Sequence, residues 1–192
     1  IQANRAVGSE WVLLDEIVLT EGTQSPGSSK NVPYRSAQLA IHCDRKGRLW
    51  VGTWGSGLNV FHALAETGYF VRYQAESEPG LVSNFVSSIA EGSDGDLWIG
   101  TLGGLVHYDP ESEQFTPQYT DDSLRITGVG CLLFDEAKNL WVGTRTGLYQ
   151  VGRERVSKYT NDPNKPGTIS GNYVISVLQD EKGNLWFGTY GQ

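Results

Sequence analysis

Five residues, Leu49-Trp50-Val51-Gly52-Thr53, return three more times almost unchanged, as Leu97-Trp98-Ile99-Gly100-Thr101, Leu140-Trp141-Val142-Gly143-Thr144 and Leu185-Trp186-Phe187-Gly188-Thr189. The tryptophans are 48, 43 and 45 residues apart. A period in the forties, with several short β-type runs in each unit, is the pattern of propeller blades. Helical repeats of similar length would carry apolar residues at 3.6 spacing, and no such stripe is visible. The sequence therefore predicts an all-β fold, a β-propeller of four-stranded antiparallel blades, either a partial ring or about four blades.

Composition supports a packed β fold and narrows the partners. Twenty-four glycines and seven prolines suit many tight turns, while six tryptophans and nine tyrosines supply the apolar area a disordered chain would lack. The formal charge is −7, and no stripe of Lys or Arg could track a phosphate backbone, so nucleic acid is not an expected partner. The apolar runs are only a few residues long, so membrane attachment is expected only through a segment outside this sequence. The sequence begins at Ile1 and has no methionine, which suggests a processed or excised piece. Cys43 and Cys131 lie at different repeat positions in non-neighbouring units, so two buried small apolar residues are expected rather than a disulfide.

Turn residues and strand patterns divide the chain into blade-sized segments. Residues 1–35 read as an outer half-blade, with Trp11–Leu14 and Ile17–Thr20 forming a hairpin around Asp15-Glu16, followed by a polar loop. Whole blades are expected over 36–80, 81–125 and 126–168, and an inner half-blade over 169–192. If the two halves met, Leu185–Thr189 would pair with Trp11–Leu14 and close a four-bladed ring. Four blades is at the small end for propellers, so an excised piece of a larger ring is expected.

Within each motif, Trp and Gly point to one face of the sheet while Leu, the third residue and Thr point to the other. Both faces are apolar, as in a sheet held between two neighbours. The glycine leaves room for the adjacent blade to approach. Nine residues before each Trp stand Ile41, Ile89, Leu132 and Val177, all aliphatic, which predicts a core position between blades. All four tryptophans are expected to be equivalent and largely buried. In the turns Asp44 to Gly47 and Asp180 to Gly183, the Asp caps its own backbone and the Gly supplies positive φ.

The pattern from Val86 through Ile89, Gly95, Leu97-Trp98-Ile99-Gly100-Thr101 and Gly103-Gly104-Leu105 to Tyr108-Asp109-Pro110 resembles the two-component regulator propeller repeat. Gly52-Thr53-Trp54-Gly55-Ser56-Gly57-Leu58-Asn59 looks like its longer glycine-rich variant. The resemblance runs from about Ala37 to the end. It implies a non-catalytic sensor module on the periplasmic or extracytoplasmic side, upstream of a membrane helix and a histidine kinase or diguanylate cyclase. In polysaccharide-sensing hybrid kinases such modules bind oligosaccharides.

Little in the sequence suggests chemistry. His42, His62 and His107 fall at different repeat positions, with no His or Cys partner at metal-ligand spacing. Asp94-Gly95-Asp96 lacks the further ligands of a calcium loop. Nucleophile elbows, phosphate loops and paired carboxylates are missing, so neither catalysis nor a cofactor is expected.

The informative position follows each Gly-Thr, where the residue changes while its surroundings do not: Trp54, Leu102, Arg145 and Tyr190. In a propeller this loop shares a face with the connections between blades, which carry Tyr34-Arg35, Asn84-Phe85 and Asn172-Tyr173. Aromatic rings beside Arg and Asn offer a flat apolar platform and fixed polar groups. That combination predicts a small-molecule or oligosaccharide ligand read by Trp54, Arg145, Tyr190, Tyr34, Arg35, Asn84, Asn172 and Tyr173. The competing reading is that these residues pack the loops, and a second is a scaffold for protein–protein interaction. Exposed strand edges near Trp11 and Trp186 would also favour a homodimer.

Overall fold

The computed structural model describes residues 3–7, 10–14, 38–63, 68–118, 126–152 and 155–191. The chain divides into two compact units, Ile1–Tyr34 and Arg35–Gln192. In the first unit, β1 (Ala3–Val7) and β2 (Glu10–Leu14) form an antiparallel hairpin in register from Ala3↔Leu14 to Val7↔Glu10. The strand expected at Trp11–Leu14 is therefore present, but its partner is the preceding segment. Residues 17–20, the partner expected from sequence, lie outside the described residues.

The second unit contains the repeats. Blade one comprises β3 (Gln38–Cys43), β4 (Leu49–Thr53), β5 (Leu58–Ala63) and β6 (Gly68–Tyr73), hydrogen-bonded in chain order. Blade two is β7 (Val86–Glu91), β8 (Leu97–Thr101), β9 (Leu105–Asp109) and β10 (Gln114–Gln118). Blade three is β11 (Val129–Phe134), β12 (Leu140–Thr144), β13 (Gly147–Val151) and β14 (Val156–Tyr159). A two-stranded sheet, β15 (Val174–Gln179) and β16 (Leu185–Thr189), follows. The first strands β3, β7, β11 and β15 touch one another in turn, so this unit is a radial array of antiparallel blades, part of a propeller. Each first strand carries a register shift near its start, between Gln38 and Ala40, Val86 and Ser88, Val129 and Cys131, and Val174 and Ser176. Bulges of this kind bend a strand locally, here beside the blade's neighbour.

Three apolar clusters fill the spaces between successive sheets. Trp50, Leu58 and Val60 of blade one pack with Leu97, Ile99, Val106 and Tyr108 of blade two. Leu105 of blade two packs with Leu140, Val142 and Tyr149 of blade three, and Trp98 joins this cluster partly buried. Trp141 and Leu148 meet Val174, with Val177 and Phe187 against them. The repeat glycine is the point of closest approach: a Cβ on Gly52 would lie 2.7 Å from Val86 Cγ1, and one on Gly100 would lie 2.6 Å from Val129 Cγ1. Neither site has room for a methyl group.

The Trp of each sheet thus points toward the next sheet, and its burial depends on what stands there. Trp50 is 0% exposed and Trp141 9%, whereas Trp98 is partly buried and Trp186 is 61% exposed beside Leu178, also exposed. The four tryptophans are equivalent in register but not in burial, which corrects the sequence expectation. Ile41, on the opposite outer face, is exposed for a related reason: it faces away from β7, while Ile89, Leu132 and Val177 face a neighbouring sheet. Cys43 is exposed, contrary to expectation, and Cys131 is half-buried, with burial pushing its thiol up to about 11. Both are free thiols.

The turn between the first two strands does more than cap itself. Six residues before the Trp, a carboxylate accepts the indole N–H: Asp44 from Trp50 at 2.8 Å, Asp135 from Trp141 at 2.8 Å, and Asp180 from Trp186 at 2.9 Å. The same carboxylate accepts a side-chain N–H from the residue two before the Trp, namely Arg48, Asn139 or Asn184. Blade two reaches this arrangement differently. Gly92 takes the place of the Asp, and Asp96, two residues before Trp98, supplies the acceptor at 2.8 Å, also meeting His107 Nε2 at 3.0 Å.

These turns close on a residue with positive φ: Gly47 (75°), Gly95 (84°) and Gly183 (80°), but Lys138 (64°) in blade three. A side chain in the left-handed region costs about 1–2 kcal/mol, part of which glycine returns through its freer unfolded chain. Lys138→Gly is therefore expected to raise stability by roughly 0.5–1 kcal/mol. A thermal scan showing no gain would mean that the lysine side chain makes a compensating contact.

Candidate ligand-binding face

In the three four-stranded blades the loop between the second and third strands is held by the threonine that closes the motif. Thr53 Oγ1 donates to Gly57 O at 2.7 Å, Thr101 Oγ1 to Gly104 O at 2.8 Å, and Thr144 Oγ1 to Gly147 O at 2.7 Å. The same hydroxyls accept loop amides, from Ser56, Gly104 and Thr146 respectively. With both ends stapled, the residue after the threonine has a fixed backbone whatever its side chain.

Backbone bonds tie these loops to the connections between sheets. Leu102 N donates to Phe85 O at 3.1 Å, Gly128 N to Leu102 O at 3.0 Å, Arg145 N to Gly128 O at 3.2 Å, and Tyr190 N to Tyr173 O at 2.8 Å. Trp54 forms an isolated antiparallel bridge with Phe85. Trp54, Leu102, Arg145 and Tyr190 therefore occur on one end of the array, the end opposite the Asp–Trp turns.

Across the loops of all four sheets this end carries a depression of about 280 Å³, lined by Trp54, Ser87, Leu102, Gly128, Arg145 and Tyr173 among others. Trp54 is 45% exposed, with its ring edge-to-face on Phe85 at 5.0 Å. The Arg145 guanidinium stands over the Tyr173 ring at 5.8 Å, within range of a cation–π contact. Tyr190, also exposed, meets Tyr173 edge-to-face at 5.8 Å and continues the aromatic surface beyond the depression. Leu102 is an apolar lining residue that the sequence singled out by position alone.

The two asparagines have another role. Asn84 Oδ1 accepts from Ala75 N at 2.8 Å and its Nδ2 donates to the Glu76 carboxylate at 2.9 Å. Asn172 Oδ1 accepts from Asn161 N at 2.7 Å. Both amides fasten the segment entering the next first strand, and neither lines the depression. Tyr34 and Arg35 lie outside the described residues.

A larger depression, about 410 Å³, lies at the turn end, chiefly between blades two and three. Several of its charged groups are already engaged, Arg45 and Glu91 between blades one and two and Asp96 and Asp135 within their own blades. Arg45 donates to Gly92 O at 3.0 Å and to Ser93 O, Glu91 meets His42 at 3.2 Å, and Asp96 and Asp135 hold the indoles described above. That end fastens the array together. Among the described residues no group of three or more His, Cys, Asp or Glu side chains is arranged to hold a metal ion.

Known proteins resemble the chain in both sequence and fold. The family model described as "Two component regulator propeller" matches residues 31–55, 80–103 and 168–191. A histidine kinase P4 of Formosa agariphila is 31% identical over 174 residues, covering 85% of this chain and 12% of the relative, so the chain spans about an eighth of that protein. Two solved structures from B. thetaiotaomicron share the fold. The extracellular domain of the hybrid two component system BT3049 has a TM-score of 0.64 at 24% identity, over 78% of this chain and 20% of that one. The extracellular domain of the one component system BT4673 has a TM-score of 0.64 at 23% identity, over 82% and 23%.

Proposed function

The chain belongs to the two-component regulator propeller repeat family, and from that premise we propose that it is the ligand-binding part of a bacterial two-component-type receptor. In this reading it sits on the extracytoplasmic side, in the periplasm, and recognises a carbohydrate without catalysis. The signal passes to an output domain outside this sequence. The observation that carries the reading is the exposed Trp54 ring beside Arg145 and Tyr173 around one depression, on a backbone fixed independently of those side chains. An indole face suits the C–H face of a sugar ring, and the guanidinium suits its oxygen atoms.

Calorimetric titration with an oligosaccharide panel tests it. Trp54→Ala is expected to weaken binding about tenfold, the loss of one aromatic stack, and to leave the melting temperature nearly unchanged because the ring is half in solvent. No heat with any oligosaccharide, together with a protein partner that protects residues 54 and 145 from hydrogen exchange, would instead establish an interaction scaffold.

A further inference from the structure

Resting on the carbohydrate reading, we infer that the loop-end depression is built for an anionic sugar, one bearing a carboxylate or a sulfate ester. The inference comes from which polar groups are free. Among the described residues that line the depression only Arg145 is charged at neutral pH, and none of them carries a carboxylate or carboxamide side chain. The Arg145 side chain has no hydrogen-bond or ion-pair partner among the described residues, and its guanidinium stands over the Tyr173 ring. The Trp54 indole N–H and the Tyr173 hydroxyl likewise have no side-chain hydrogen bond among the described residues. Ser87 Oγ already points at two carbonyls, Val129 O at 2.6 Å and Gly100 O at 3.0 Å, so its hydrogen is committed.

Among the described residues the free side-chain donors are therefore the Arg145 guanidinium, the Trp54 indole and the Tyr173 hydroxyl, and the side-chain acceptors are limited to the hydroxyl oxygens of Ser87 and Tyr173. A neutral sugar hydroxyl is both donor and acceptor, and its recognition calls for side-chain acceptors such as the carboxamides of Asn84 and Asn172, two of the fixed polar groups expected from the sequence. Both carboxamides are engaged in the loops. An anionic group reverses the requirement, since its oxygens only accept and a guanidinium fork matches them with two parallel bonds. The site is also prepared for this. Arg145 N is fixed to Gly128 O, and a Cβ on Gly128 would fall 3.4 Å from Arg145 Cγ and Cδ, so the bare glycine lies along the arginine stem.

The test is calorimetry on the purified chain with galactose oligosaccharides, galacturonate oligosaccharides and sulfated galactose oligosaccharides of one length, with inorganic sulfate as a separate probe. One acidic series is expected to bind about ten- to hundredfold more tightly than the neutral one, the affinity equivalent of a hydrogen bond to a charged group, and which series it is assigns the carboxylate or the sulfate. Arg145→Ala is expected to remove that advantage. Arg145→Lys should restore only part of it, because an ammonium keeps the charge but loses the fork. Neutral and acidic sugars binding alike, with Trp54→Ala weakening both, would overturn this inference and leave the carbohydrate reading standing. Inorganic sulfate binding through Arg145 as tightly as any sugar would support the anion site and remove the sugar. No binding in any arm would overturn both.

Discussion

Trp50→Ala is expected to lower the unfolding free energy by about 3–5 kcal/mol, while Trp186→Ala should change it by about 1 kcal/mol or less. The residues occupy the same repeat position. Trp50, however, is 0% exposed, edge-on to Tyr108 of the next blade at 4.9 Å and stacked with Tyr73 of its own at 6.5 Å. Its removal leaves a cavity between two sheets and an indole-sized loss of apolar burial. Trp186 is 61% exposed, so most of its surface is already in water. Urea unfolding of the two variants checks the contrast. Equal losses would show that the intrasheet contacts of the indole, and not the neighbouring blade, determine its contribution.

Asp44→Ala should be nearly as damaging, at about 3–5 kcal/mol, the usual cost of removing one member of a buried ion pair. Its carboxylate accepts from Arg48 Nε at 2.6 Å, Arg48 N at 2.8 Å and Trp50 Nε1 at 2.8 Å, and both charged side chains are mostly buried. Without it the guanidinium stays between Trp50 and Tyr108 with no counter-charge. Burial pushes the Asp44 pKa up, but the bonds from Trp50 and Arg48 outweigh it and hold the carboxyl below its ordinary range. Asp135 is also held low, its burial outweighed by bonds from Asn139 and Trp141, and Asp180 is lowered to about 2, chiefly by Trp186 and Asn184. A depressed folded-state pKa contributes stability above the unfolded value, about 3.9, that disappears as pH falls through the folded value. Wild-type stability should therefore fall on acidification below about pH 4, and the fall should be shallower in Asp44→Ala. Identical pH profiles would contradict the assignment of this carboxylate.

The strands were legible because each depends on a local pattern: alternation along Leu97–Thr101, a turn before it and a glycine pair after it suffice to place β8 and β9. The aliphatic positions Ile89, Leu132 and Val177 were legible for the same reason. Burial was not, because it depends on the following sheet, and Trp50 and Trp186 differ through their neighbours and not through their own sequence. The Asp–Trp bond was missed although its signal was present, an Asp six residues before Trp50, Trp141 and Trp186 with a donor between. At the loop end, the position of Trp54 and Arg145 followed from counting residues after the Gly-Thr pair. The engagement of Asn84 and Asn172 did not, since it depends on how the segments at 75–76 and 161 fold back on them.

The exchange of Gly92 and Asp96 in blade two places a limit on how its repeats can be recombined. A Cβ on Gly92 would lie 2.2 Å from Asp96 Oδ1, so the space of one carboxylate is already filled by the other. A chimera that takes its turn from blade one and keeps the rest of blade two, with the junction between residues 92 and 96, would bring two acids to one indole. The reciprocal junction would bring none and leave the Trp50 N–H without its acceptor. Only a crossover outside this five-residue window transfers a working turn, so the two positions are inherited as one allele even though each looks like an ordinary loop residue.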